Sequence, residues 1–279
     1  MKSYVAGFRR LLRNKMFAAG LVIFSVVFIT ALFADNMAPM GYREMDLQNT
    51  LQPPSREALF GTDQYGRCIF SRVIYGSRIA LRVGVIVVVI QTVIGVFMGL
   101  VAGFQGGYVD SMISYLIDVT WSMPVIVFAL AIVMALGPSL DNVIIAIAVV
   151  SWAQLARVVR SKTHSIKNKP YAEAAHALGM SNTRLIFRHI LPNILSPIIV
   201  LTTLSLPNAI LSTTSLSFLG LGSQPPAPDW GVILNEGIDY IELAPWISTF
   251  PGLAIVWTVL GFNLLGVGLR DILDPTLTN

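Results

Sequence analysis

The sequence predicts an all-α integral membrane protein with six transmembrane helices, on two observations. Hydrophobic residues make up 54% of the chain and charged residues only 12%, about half the charged share of an ordinary soluble domain, so the chain has too little polar surface to cover itself in water. The charges are also unevenly placed. Long uncharged intervals separate them, and a helix needs about 20 predominantly apolar residues to cross the hydrocarbon of a bilayer.

Taken in order, uncharged intervals cover 16–34, 83–109 and 119–140, and each is long enough to cross. The fourth, 142–156, is short, but Arg157 and Arg160 extend it to 159 by reaching back to the headgroups. No charge occurs between 190 and 228, yet Pro225, Pro226 and Pro228 close that interval, which reads as one span at 194–211 and an apolar loop. The sixth span lies within 243–269. Buried helices of a soluble protein seldom run so far without a charge. The basic segment 1–15 followed by an apolar stretch resembles a signal peptide, but no small-x-small site precedes Asp35, and the first interval suits an uncleaved anchor. Cys68 is the single cysteine, so no internal disulfide can form.

Charge sets the orientation. Lys2, Arg9, Arg10, Arg13 and Lys15 precede the first span with no acid, and 157–189 hold seven Lys and Arg against Glu173 alone; both segments belong in the cytoplasm. Asp229, Glu236, Asp239 and Glu242 are the charges between the fifth and sixth spans, which places that loop outside. Six spans with both termini cytoplasmic satisfy all three assignments. The outer segment 35–82 fits less well, with six arginines against five acids. The first span and the outer segment, 1–78, read as an N-terminal addition to a five-helix core at 79–279.

Within the basic loop 157–189, residues 169–179 spell a short helix with marked ends. Pro170 suits the first helical position, Glu173 sits near the positive end of the dipole, and Gly179 suits the left-handed position just past the C-terminus. Tyr171, Ala174, Ala175 and Leu178 fall at i, i+3, i+4 and i+7, giving one apolar face flattened by alanine. A helix of this kind either rests on the headgroups or receives another surface.

Glu173-Ala174-Ala175, three residues, Gly179, nine residues, then His189-Ile190-Leu191-Pro192 resembles the signature of permease subunits in binding-protein-dependent ABC importers, EAA, three residues, G, nine residues, I-x-L-P. His189 stands where the pattern has isoleucine. The resemblance narrows to the peptide/nickel permeases of the second-subunit type through Leu59-Phe60-Gly61-Thr62-Asp63, Gly66-Arg67, Ser71-Arg72, Ser217-Phe218-Leu219-Gly220-Leu221-Gly222, Asp229-Trp230-Gly231 and Gly268-Leu269-Arg270-Asp271. Cys68 and Val267 depart from it where the family usually has Asp. The resemblance implies a type I importer permease fold in which the short helix is a cytoplasmic coupling helix seated on an ATPase. Tyr171, Ala172, Glu173, Ala174, Ala175, Leu178 and Gly179 would make that contact, with Ala172, Ala175 and Gly179 closest. It also implies a second homologous permease, two ATP-binding subunits and an extracytoplasmic solute-binding protein as partners, in the plasma membrane. Peptide is the expected cargo, with nickel or a metal chelate as the alternative.

The remaining candidates are weaker. Gln91, deep in the second span, faces either the pathway or a neighbouring helix. Asp118 and Asp141 bracket the third span and either line a path or mark the membrane boundary. Pro124, Pro192, Pro197 and Pro207 interrupt membrane helices, as kinks or as moving parts. Trp230 and Trp246 suit the outer aromatic belt. His164, His176 and His189 lack local ligand spacing for a metal. Nucleotide-binding and hydrolase signatures are missing, so ATP would be bound by the partners, no cofactor is expected in this chain, and no catalysis or nucleic-acid partner is expected of it. An ion-coupled secondary transporter would instead need paired charges inside the spans, which are nearly charge-free.

Overall fold

The computed structural model describes residues 14–273; the basic residues Lys2, Arg9, Arg10 and Arg13 and the end of the chain from Asp274 lie outside them. Helix α1 (Lys15–Leu32) starts where the Asn14 side chain accepts the N–H groups of Met16 and Phe17, and a single turn, α2 (Ala34–Met37), follows. Helix α3 (Ile69–Gln105) has 37 residues, roughly 55 Å at 1.5 Å per residue, which exceeds the bilayer core. It runs unbroken through residue 78, so the outer segment enters the second crossing without a joint there.

The third crossing differs from the single span expected at 119–140. It is two helices, α4 (Gly107–Trp121) and α5 (Val125–Leu136), bent by 91° at a break of three residues. Pro124 is the cause: it has no N–H to donate and pushes the residue before it out of the helical region. The 12 residues of α5 reach roughly 18 Å, too short to cross alone. Five helices are long and apolar enough to cross, and the bent pair makes the sixth.

Helix α6 (Leu140–Lys167) begins where the Ser139 hydroxyl accepts the Asn142 N–H and continues well past the expected 159. A two-turn helix, α7 (Pro170–Ala177), and a single turn, α8 (Asn182–Leu185), follow, then a π-turn at Ile186–Ile190 that feeds α9 (Leu191–Phe218). Pro197 and Pro207 are accommodated inside α9, which outruns its expected 194–211 at both ends. A short outer helix, α10 (Trp230–Ile238), precedes the last crossing, α11 (Trp246–Leu273).

The core is built on α3 and α6. Gly95, Gly99 and Gly103 stand four apart on α3, and a Cβ on each would lie 2.9 Å from the Trp152 carbonyl oxygen, 2.7 Å from that of Ala156 and 2.5 Å from that of Arg160. The two backbones therefore touch over two turns, the way small residues pack helices where lipid removes the hydrophobic drive. Above this seam, Val83, Val87 and Val88 of α3 pack on Val143, Ile144 and Ile147 of α6. Below it, Asp110 of α4 pairs with the Arg160 guanidinium.

The outer segment is pinned by buried charge. Asp63 accepts from Arg67 Nε at 2.6 Å and from Arg72 Nη1 at 2.9 Å, and Glu236 of α10 accepts from Arg67 Nη2 at 3.0 Å and Arg72 Nη1 at 2.7 Å. Asp63, Arg67 and Arg72 are at most 1% exposed. Trp230 and Trp246 are not belt residues: Trp230 is buried, with its indole N–H on the Val73 carbonyl at 2.9 Å, and Trp246 donates to the Thr62 carbonyl at 3.0 Å. Asp229 caps α10 by accepting the Gly231 N–H, and takes hydroxyl protons from Ser217 and Ser223 at 2.9 Å each. Burial pushes its carboxyl above the ordinary range, and these hydrogen bonds pull it back.

Candidate coupling loop and membrane cavity

The loop between α6 and α9 carries the signature residues on a short, capped helix. Pro170 occupies the first turn of α7, which closes with the Leu178 N–H on the Ala174 carbonyl at 3.0 Å. Gly179 follows with φ +83° and no atom within 4 Å of where a Cβ would stand, and the Met180 N–H turns back to the Ala175 carbonyl at 3.2 Å. The left-handed residue ends the helix, as its sequence position predicts. Tyr171 is 44% exposed and Leu178 90%. Glu173, Ala174, His176 and Ala177 are exposed beside them.

Ala172, expected from the resemblance among the residues of closest contact, is buried within this chain. It is 1% exposed and belongs to the buried cluster that includes Phe104, Leu155, Val159, Ile166, Leu185 and Ile190, so it anchors α7 to the membrane domain, while Tyr171, Ala174 and Leu178 face outward. Ala175 is half-buried on the same inward side. The anchoring side joins α7 to the ends of α3 and α6, through Phe104 and Ile166 of the same cluster. Lys167 ties those two ends together by donating to the Phe104 carbonyl at 2.6 Å.

Higher in the membrane, α3, α6, α9 and the elbow between α4 and α5 enclose a cavity of about 360 Å³. Gln91 of α3, Ser151 and Gln154 of α6, and Asn208 and Ser212 of α9 line it together with Trp121, Pro124, Val125 and Ile126 of the elbow. Among the described residues, none of those five polar side chains has a hydrogen-bond partner. Ser205, also in the wall, differs in bonding its own helix at the Leu201 carbonyl. Gln91 is buried, whereas Gln154 and Asn208 are exposed on the face of this chain; an unpaired amide or hydroxyl in hydrocarbon costs several kcal/mol, so a face carrying five of them calls for water, a polar solute or the polar groups of a neighbouring chain.

Two of the three pathway candidates, Gln91 and Pro124, thus meet in one cavity, and Asp118 stays out of it. Its carboxylate holds Arg157 at 2.6 Å, and the Arg157 guanidinium stacks on Trp121 at 4.2 Å, so Asp118 reaches the cavity wall only through those two side chains. Asp141 lies at the surface opposite Arg82.

The family described as "Binding-protein-dependent transport system inner membrane component" matches residues 95–279, which include the loop and every residue of the cavity wall except Gln91. The chain belongs to this family. A second match, the "N-terminal TM domain of oligopeptide transport permease C", covers residues 5–54 of the permease. The permease is 46% identical over 97% of its length to the dipeptide transport system permease protein DppC of Alkalihalophilus pseudofirmus, and covers 89% of that protein. It is 44% identical over 96% of its length to the glutathione transport system permease protein GsiD of Shigella flexneri, again covering 89%. Among solved structures, an amino acid ABC transporter with histidines matches 72% of the permease and 94% of that chain, with a TM-score of 0.55 at 21% identity. That likeness carries the fold: an all-α importer permease of type I.

The residues of the permease missed by sequence reasoning had a signal. Ser151 and Gln154 are three apart on α6, and Ser205, Asn208 and Ser212 fall at i, i+3 and i+7 on α9, so each set of polar residues marks one face of an otherwise apolar helix. Counting only charges hides that periodicity. His164, His176 and His189 do not converge, and among the described residues no three potential metal ligands do.

Proposed function

We propose that this chain is one of two permeases in an ATP-driven, binding-protein-dependent peptide importer, that the cavity around Gln91 is its half of the path, and that α7 is the lever joining that path to a cytoplasmic ATPase. The cluster of five unpaired polar side chains in the middle of the membrane carries the reading. The exposed apolar face of α7, anchored behind by Ala172, supports the lever. The partners are a second homologous permease, two ATP-binding subunits inside and a solute-binding protein outside. The positive charge of 1–15 and 157–189 supports placing both termini in the cytoplasm.

Peptide is favoured over nickel as cargo. A nickel path would offer imidazole, carboxylate or thiolate groups, whereas the wall here offers amides and hydroxyls, and the named relatives carry dipeptide and glutathione in their names.

Gly179 tests the lever. Valine at φ +83° is strained by on the order of 1 to 2 kcal/mol, and nothing crowds the site, so the strain falls on the angle at which α7 ends. Gly179→Val should insert and assemble in near-normal amount while peptide uptake and binding-protein-stimulated ATPase activity both fall, with Ser181→Ala as control. Wild-type values for both activities would remove α7 from the coupling path.

A further inference from the structure

We infer that the cavity wall of this chain reads the peptide main chain and is blind to the charge of the cargo. The inference rests on the cavity being the path, and it adds what that path recognises. Gln91, Gln154 and Asn208 each carry a donor and an acceptor, and Ser151 and Ser212 can serve as either. These groups stand on three different helices and converge on one space without using one another. A peptide backbone presents alternating C=O and N–H groups whatever its side chains, so groups able to give or take a proton can follow it in any register.

No residue of the wall is charged. In a cavity walled by hydrocarbon an ion pair is far stronger than in water, and a fixed carboxylate or guanidinium would hold cargo of the opposite sign too tightly to release it. Passage through a membrane path requires binding weak enough to leave. Pro124, Val125 and Ile126 at the elbow, with Val150 of α6 and Ala209 of α9, give side chains an apolar surface without hydrogen-bond demands. Polar groups for the backbone beside apolar surface for the side chains are the combination expected of a path that passes many sequences. Asp118 and Arg157, the nearest charges named here, neutralise each other outside it.

The test uses the complete complex, with permease partner, ATPases and binding protein, in proteoliposomes, and compares uptake of Ala-Ala-Ala, Ala-Glu-Ala and Ala-Lys-Ala at saturating binding protein. The wild-type complex should carry all three within about threefold. Asn208→Asp on α9 and Gln154→Glu on α6 are the informative variants, because each places one carboxylate in the wall without changing side-chain size. Either should change the ratio of Ala-Lys-Ala to Ala-Glu-Ala uptake by about tenfold, as expected for about 1.4 kcal/mol of charge discrimination, with binding-protein-stimulated ATPase activity retained. Ala-Ala-Ala methylated on its central amide nitrogen should be carried several-fold more slowly than Ala-Ala-Ala by the wild type, and Gln91→Leu should shrink that difference. An unchanged charge ratio in whichever variant assembles, or a wild-type complex that already discriminates tenfold by charge, overturns the inference while leaving the path assignment standing. Absence of peptide uptake by the wild-type complex would instead overturn the path reading itself.

Discussion

Gly99→Leu should severely damage the membrane domain. The first carbon of the new side chain would stand 2.7 Å from the Ala156 carbonyl oxygen and 2.7 Å from the Val159 Cβ, and neither is the free end of a flexible side chain. The helices α3 and α6 would have to separate along the whole seam, which also carries Gly95 and Gly103. Overpacking a tight core usually costs 1–3 kcal/mol, and here the clash is with backbone, so the upper end is expected. Purified yield of folded, monodisperse protein should fall by tenfold or more. Gly252→Ala is the control, since its Cβ would meet nothing nearer than 3.9 Å. Normal yield of Gly99→Leu would mean the seam is looser than described.

Asp63→Leu should be at least as costly. It would leave the buried guanidinium groups of Arg67 and Arg72 to share Glu236 alone, and breaking a buried ion pair from one side costs about 3–5 kcal/mol because a charge is left uncompensated. The outer segment should loosen first, visible as protease cutting between 44 and 57 and as a lower thermal midpoint of the purified complex. Adding Arg72→Met to Asp63→Leu removes the excess charge and keeps the Arg67–Glu236 pair. The double variant should recover most of the loss, a coupling that only groups in contact show. Losses that simply add would place the four residues in separate interactions.

The crossings were legible because charge is what the bilayer rejects most strongly, and the gaps between charges mark them. The bend at Pro124 was not legible from the same gaps: an uncharged interval reports composition and carries no direction, so 119–140 read as one helix. The seam of Gly95, Gly99 and Gly103 hid in the same way, since glycine in an apolar run changes no charge count while its four-residue spacing decides how α3 and α6 meet. The pairing of Arg67 and Arg72 was hidden because their second acid, Glu236, is more than 160 residues away, so a charge count of 35–82 sees only an excess of arginine. The helix at 170–177 was readable from its own ends, Pro170 and Gly179. Which of its faces turns inward was not, because Ala172 is as small as Ala174 and only the packing of Phe104, Leu155 and Ile190 distinguishes them.

Cysteine accessibility tests the central claim most directly, since the native Cys68 is buried at 2% exposure and leaves a quiet background. Asn208→Cys, in the assembled complex, should react with a membrane-impermeant maleimide applied from only one side without nucleotide, and from the other side once ATP is bound and hydrolysis is blocked. Leu253→Cys, exposed on the outer surface of α11, should not change sides. Reaction of Asn208→Cys that switches sides with nucleotide is the result expected of a residue in an ATP-driven path; a thiol at 208 that stays unreactive from both sides, or reacts equally in both nucleotide states, would contradict it.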